Sequence, residues 1–63
     1  MDWIGRVFDV TYGLDSGNQV EVISEPYAIS RKGNTAVRVR DSYKSEYEVE
    51  TNELENSIYY SER

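Results

Sequence analysis

The chain contains no cysteine and no histidine, a single proline and no long apolar run. Each absence removes a class of chemistry. Without cysteine there is no disulfide framework, no thiolate metal site and no thiol nucleophile. A cysteine-free chain also suits a reducing compartment, so the expected location is the cytoplasm, the host cytoplasm if the chain is viral. Without histidine, the side chain best matched to proton transfer at neutral pH is missing. Neither a nucleophile elbow nor a Walker phosphate loop occurs. Glutamate pairs can run acid–base chemistry only where one carboxyl is buried in a cleft, which a barrel of this size has little room to build. No apolar stretch approaches the ~18 residues of a membrane span, and residues 1–13 carry no signal peptide. The expectation is a non-enzymatic chain with no cofactor, no metal and no membrane partner.

What is present is aromatic and acidic. Sixty-three residues make one small domain, 1–63. A chain this short buries only about 60% of the surface its unfolded form exposes. Trp3, Phe8 and six tyrosines must therefore supply much of the core, each ring removing about 150–250 Å² from water. With so many rings on so small a body, some are expected at the surface as contacts.

The pattern along the chain is one of short strands. Phe8, Val10 and Tyr12 alternate with Asp9 and Thr11, the period of a half-buried strand. Gly13 and Asp15-Ser16-Gly17-Asn18 form a turn cluster, and Val20 and Val22 alternate with Glu21 and Ile23. Asp15, Ser16 and Asn18 also offer oxygen ligands, but without full calcium-loop spacing, so a hairpin turn is the reading. Glu25-Pro26 breaks the pattern at a bend, bulge or edge, because proline cannot donate to a central ladder. Pro26-Tyr27 reads either as an exposed recognition loop or as a barrel corner. Tyr27 and Ile29 resume the alternation, and Gly33-Asn34 signals a tight turn. Val37 and Val39 then point one way while Arg38 and Arg40 point the other. A turn is expected over residues 42–45, followed by Tyr47 and Val49 alternating with Glu46, Glu48 and Glu50.

Residues 51–60 admit two readings. Residues 51–55 suit a 3₁₀ turn, with a final strand over residues 57–60 rich in β-formers. Alternatively, Tyr43, Tyr47, Leu54 and Ile58 fit helical spacing, with Asn52 and Glu55 as a capping box. The expected fold is all-β: a five- to six-stranded antiparallel SH3-like barrel with a 3₁₀ turn near residues 51–55. The alternative is α+β with a C-terminal helix over residues 43–60.

Gly17-Asn18-Gln19-Val20-Glu21-Val22, followed by Gly33 ahead of Val37-Arg38-Val39, resembles the strand–loop–glycine–strand core of KOW-type modules. Residues 47–54, Tyr-Glu-Val-Glu-Thr-Asn-Glu-Leu, resemble the strand and 3₁₀ ending of Src-homology-3-type barrels. The resemblance implies a fold rather than a function. No Ala-Leu-Tyr-Asp-Tyr-like segment occurs at the start, so the proline-groove site of those barrels is not implied.

Charge is unevenly placed: residues 1–30 carry a net −4, residues 31–40 a net +4, and residues 41–63 a net −5. On an extended strand, Glu46, Glu48 and Glu50 share one face with carboxylates about 6.6–6.8 Å apart. Glu53 and Glu55 extend the row around the turn. That interval is comparable with two axial steps of ~3.4 Å along a nucleic-acid strand. The row therefore suits a groove on a basic or nucleic-acid-binding protein, or simply keeps an exposed face soluble. Beside it stand Tyr43, Tyr47, Tyr59 and Tyr60. In the opposite sense, Tyr27, Arg31, Lys32, Arg38 and Arg40 can engage phosphates and stack a base. The competing expectation pairs Arg38 and Arg40 with Glu46, Glu48 or Glu50 on the next strand, which neutralises both patches.

The leading functional expectation is a protein-binding module acting through Tyr43, Glu46, Tyr47, Glu48, Glu50, Glu53, Glu55, Tyr59 and Tyr60. In size, acidity and lack of catalytic groups it is similar to the small host-takeover proteins of bacteriophages, which inhibit bacterial proteins. The second expectation is a nucleic-acid-binding barrel using the basic hairpin. The third is a structural subunit of a larger assembly, with a homo-oligomer as one form.

Overall fold

The computed structural model describes residues 3–14, 16–29 and 33–63. Its elements are β1 (Val7–Val10), β2 (Gln19–Val22), β3 (Tyr27–Ala28), β4 (Thr35–Asp41), β5 (Glu46–Glu50), α1 (Thr51–Asn56) and β6 (Tyr60–Glu62). All pairings are antiparallel and give a β-rich fold with the order β3-β4-β2-β1-β6, β5 lying on β4.

The longest strand organises the sheet. β5 covers one edge of β4 from Ala36 to Arg40, so β2 and β3 must share the other edge. Between them lies the Glu25-Pro26 break, placed as the sequence led us to expect. There the Arg38 amide donates to the Ser24 hydroxyl at 2.9 Å, and the Ile23 amide donates to the Arg38 carbonyl at 2.9 Å. The serine side chain thus satisfies a ladder position that the bend leaves open.

Valine alternation builds the core. Phe8, Val20, Val22, Val37, Val39, Val49 and Leu54 form one buried cluster, with Trp3, Val10 and Tyr60 packed against it. Burying each such side chain contributes about 1.5–3 kcal/mol, and the β-branched residues suit the pleat. Trp3 extends this core by stacking on Phe8, with ring centroids 6.5 Å apart.

Asp41 fixes the β4–β5 turn. Its carboxylate accepts the Tyr43 and Ser45 amides at 2.8 and 2.9 Å, and its carbonyl accepts the Lys44 amide at 3.0 Å. Lys44 sits in the left-handed region at φ 71°, where most hairpins of this kind carry glycine.

Residues 51–60 correct the sequence reading on four counts. A helix over residues 43–60 does not form, because Glu46–Glu50 is strand β5 and the helix is six residues long. It is α rather than 3₁₀. The capping box is absent too: Glu50 is the N-cap residue without a side-chain cap, and Asn52 instead accepts a hydrogen bond from Asn56 at 2.7 Å. Leu54 is its one buried side chain and plugs the core. The final strand begins at Tyr60, not residue 57. The Ser57 hydroxyl donates to the Glu53 carbonyl at 2.7 Å and accepts from the Tyr59 amide at 3.1 Å, which turns the chain before β6. β1 likewise ends at Val10, leaving Tyr12 beyond the strand and exposed.

Candidate functional site

The acidic row and the described part of the basic hairpin lie on the same face of the β4–β5 ladder. Arg38 stands opposite Glu48, and Arg40 stands between Glu46 on β5 and Glu21 on β2. The Arg40 guanidinium donates to Glu46 Oε2 through Nε and Nη2 at 3.3 and 3.2 Å. The Tyr27 hydroxyl donates to Glu48 Oε1 at 3.1 Å, and Asn34 Nδ2 donates to Glu50 Oε1 at 3.3 Å. Tyr27 reaches Glu48 by crossing β4 at its partner Ala36, which is wholly buried despite facing outward. Burial holds the Tyr27 phenol pKa above its ordinary value, reinforced by the hydrogen bond to Glu48 and its charge, and opposed by Arg38. Glu46, Glu48 and Glu50 therefore each have a donor within the chain; of the expected arginine pairs, Arg40 with Glu46 forms, while Glu48 and Glu50 accept from Tyr27 and Asn34. Arg31 and Lys32 lie outside the described residues.

The tyrosines divide between two regions. Tyr43 projects from the β4–β5 turn. Tyr47 stands opposite Val39 and so shares the core-facing side of β5 with Val49, away from the glutamates. Tyr59 precedes and Tyr60 begins β6, a strand that shares no ladder with β5. There the Tyr59 ring meets Tyr12 edge to face, centroids 5.2 Å apart. Val10, Tyr12, Leu14, Glu53, Tyr59 and Tyr60 line an open groove of about 430 Å³. Beside it the apolar surface is unusually open: Tyr12 is 59% exposed, Leu14 105%, Ile58 73% and Tyr59 42%. No cation lines this groove among the described residues, and Glu53 contributes a carboxylate.

The groove forms for local reasons. The Thr11 amide donates to the Tyr59 carbonyl at 2.9 Å and the Thr11 hydroxyl donates to the Ile58 carbonyl, which pins residues 58–59 beside the end of β1. The Gly17 amide then donates to the Val10 carbonyl at 2.9 Å, so the loop carrying Leu14 returns to its own strand. Sequence reasoning placed Tyr59, Tyr60 and Glu53 in the site but missed Tyr12 and Leu14. The available signal was an apolar alternation running straight into the Gly13 turn, which leaves its last residues past the sheet.

Glu55 leaves the acidic row for a different cluster. The Arg6 guanidinium donates to both carboxylate oxygens of Glu62 at 2.8 and 2.7 Å and lies 3.5 Å from Glu55. Its carbon centre stacks 4.1 Å from the Trp3 ring centroid and 5.2 Å from that of Phe8. The hydrogen bond to Glu62 raises the Arg6 pKa against the effect of burial, and the same bond holds the Glu62 carboxyl below its ordinary value. A second pair, Arg63 to Asp9 at 3.0 Å, flanks the same strands. Nothing in the sequence pattern singled out Arg6, because its partners lie about fifty positions downstream.

Among the described residues, no group of three or more acidic side chains converges on a metal position. Asp15 lies outside the described residues, and the Ser16 amide donating to the Gly13 carbonyl at 3.2 Å makes the neighbouring segment a turn. No helix among the described residues is long and apolar enough to cross a membrane. Comparison with protein-family models, with curated proteins and with solved structures finds no match for this chain, so its functional reading rests on the geometry above.

Proposed function

We propose that this chain is a non-enzymatic, cytoplasmic protein-binding module that docks a basic, apolar-bearing protein segment in the Tyr12–Tyr59 groove. The observation that carries this reading is the exposure of Tyr12, Leu14 and Tyr59 along that groove, with Ile58 exposed next to Tyr59 in the chain. A small domain short of core material gains stability by burying such side chains, and a clustered exposed patch marks a contact surface. Tyrosine suits the role because it offers a large, rigid face with few rotatable bonds. Glu53 at the groove and the net charge of −5 select a cationic segment, which also raises its rate of encounter. As an acidic inhibitor, the chain would occupy the basic surface that its partner uses elsewhere. The short helix between β5 and β6 supports a Src-homology-3-like arrangement around this groove.

The β4–β5 face is the weaker docking surface. A partner there must displace donors already on Glu46, Glu48 and Glu50, and exchanging one satisfied hydrogen bond for another gains little. The nucleic-acid reading weakens for the same reason, since Arg40 and Tyr27 are engaged by carboxylates.

The test is a titration of isotope-labelled chain with short peptides that alternate lysine or arginine with leucine. Amide shifts should centre on Tyr12, Leu14, Glu53 and Tyr59 and vanish in a Tyr12→Ser/Tyr59→Ser variant. Shifts confined to residues 38–50, or an unperturbed spectrum with every peptide, would overturn the proposal.

A further inference from the structure

We propose that β6 opens and closes as a unit separate from the rest of the sheet, with Arg6 as the latch that sets how often it opens. β6 is three residues long, its residues Ser61 and Glu62 are exposed, and Tyr60 alone packs on the core. Its backbone is held by the β1 ladder and by the Arg63 amide donating to the Val7 carbonyl at 3.0 Å. Segments with few buried apolar contacts and solvent-exposed backbone bonds sit at the low end of local stability. β4 is the opposite case, bordered on both edges and carrying Ala36, Val37 and Val39 in full burial.

Beyond the ladder and Tyr60, β6 is fastened by charge. Arg6 draws together three separated parts of the chain: the Trp3 and Phe8 rings, Glu55 on α1 and Glu62 on β6. The guanidinium is pre-organised, because the rings hold its plane while both nitrogens address one carboxylate. The Arg6 side chain is only 24% exposed, whereas Arg63 in the second pair is 58% exposed. Solvent screens the outer pair strongly and adds little to the hold. Arg6 therefore carries most of the ionic fastening. Tyr59 and Tyr60 form one wall of the groove, so each opening would also dismantle that wall. This last step rests on the docking reading; the opening itself does not.

Native-state amide exchange of the unliganded chain tests the latch. Raising salt from low ionic strength to about 1 M, where the Debye length falls to about 3 Å, should speed exchange across residues 60–63 and leave Val37 and Val39 unchanged. Arg6→Met, which keeps an apolar stem on the rings, should speed β6 exchange on the order of ten-fold and abolish most of its salt response. Glu62→Gln should act in the same direction and serves if Arg6→Met does not fold. Equal acceleration in β4 and β6, or β6 exchange indifferent to both salt and substitution, would overturn the proposal. Because no peptide is added, that failure is distinguishable from failure of the groove.

Discussion

The Tyr27 phenol donates to Glu48 Oε1 at 3.1 Å from the far side of β4, passing over Ala36. Ala36, the partner of Tyr27 on β4, is wholly buried, and the crossing leaves Tyr27 half-buried. Its protonated form is therefore favoured by the fold. Stability from this contact is complete below the ordinary tyrosine value of 10.0 and is lost as pH rises through the elevated folded value. The expected result is an alkaline unfolding limb, followed by circular dichroism, that Tyr27→Phe shifts to higher pH. An unchanged limb in Tyr27→Phe would place the sensitive group elsewhere.

Glu62 gives the opposite dependence. Its carboxyl is held below the ordinary glutamate value of 4.5 by the hydrogen bond to Arg6, so its contribution is present above that value and fades as pH falls through the lower folded value. Acid titration of Glu62→Gln, followed by urea midpoints at each pH, should show a flatter acid limb than the unsubstituted chain.

Leu54 is the helix's one buried residue. Leu54→Ala should cost about 2–5 kcal/mol through lost burial and the cavity left behind. Domains of this size rarely hold more than about 3–5 kcal/mol in total. Near-ultraviolet dichroism should accordingly report a largely unfolded chain at room temperature. Glu53→Gln, on the exposed side of the same helix, should stay within about 0.5 kcal/mol of the parent.

Lys44 occupies a left-handed position that glycine fills without strain. Lys44→Gly should raise stability by about 0.5–1 kcal/mol, the relief of strain less the greater freedom of glycine in the unfolded chain. Lys44→Ala should bring no gain. Chemical denaturation of both variants separates the outcomes.

The strands were legible where two periodicities agreed. Val20, Val22, Val37 and Val39 alternate with charged partners, and all four are buried; the opposition of Arg40 and Glu46 followed from the same alternation. Residues 51–60 were not legible, because Ile58 and Tyr59 have strand propensity but their backbone is fixed by Thr11 and Ser57 into a turn. The turn over residues 42–45 was legible, but the left-handed Lys44 within it was not, since Asp41 rather than a glycine holds that conformation. The candidate site was half visible. Tyr59, Tyr60 and Glu53 stood out by composition, while Tyr12 and Leu14 join them only through the pairing of β1 with β6, and Arg6 gathers Glu55 and Glu62 from a separation no local pattern encodes.

The pairing of β1 with β6 also bears on how the chain reaches its native state. Asp9 meets Arg63 across 54 positions, and Arg6 meets Glu62 across 56. Closing so large a loop costs entropy before its contacts give anything back, which slows folding relative to sheets made of hairpins alone. Until that closure, the edge of β1 away from β2 stays unpaired. The hairpins formed by β4 and β5 are free to assemble ahead of it, so the last event on the pathway should be the arrival of the strand bearing Tyr60.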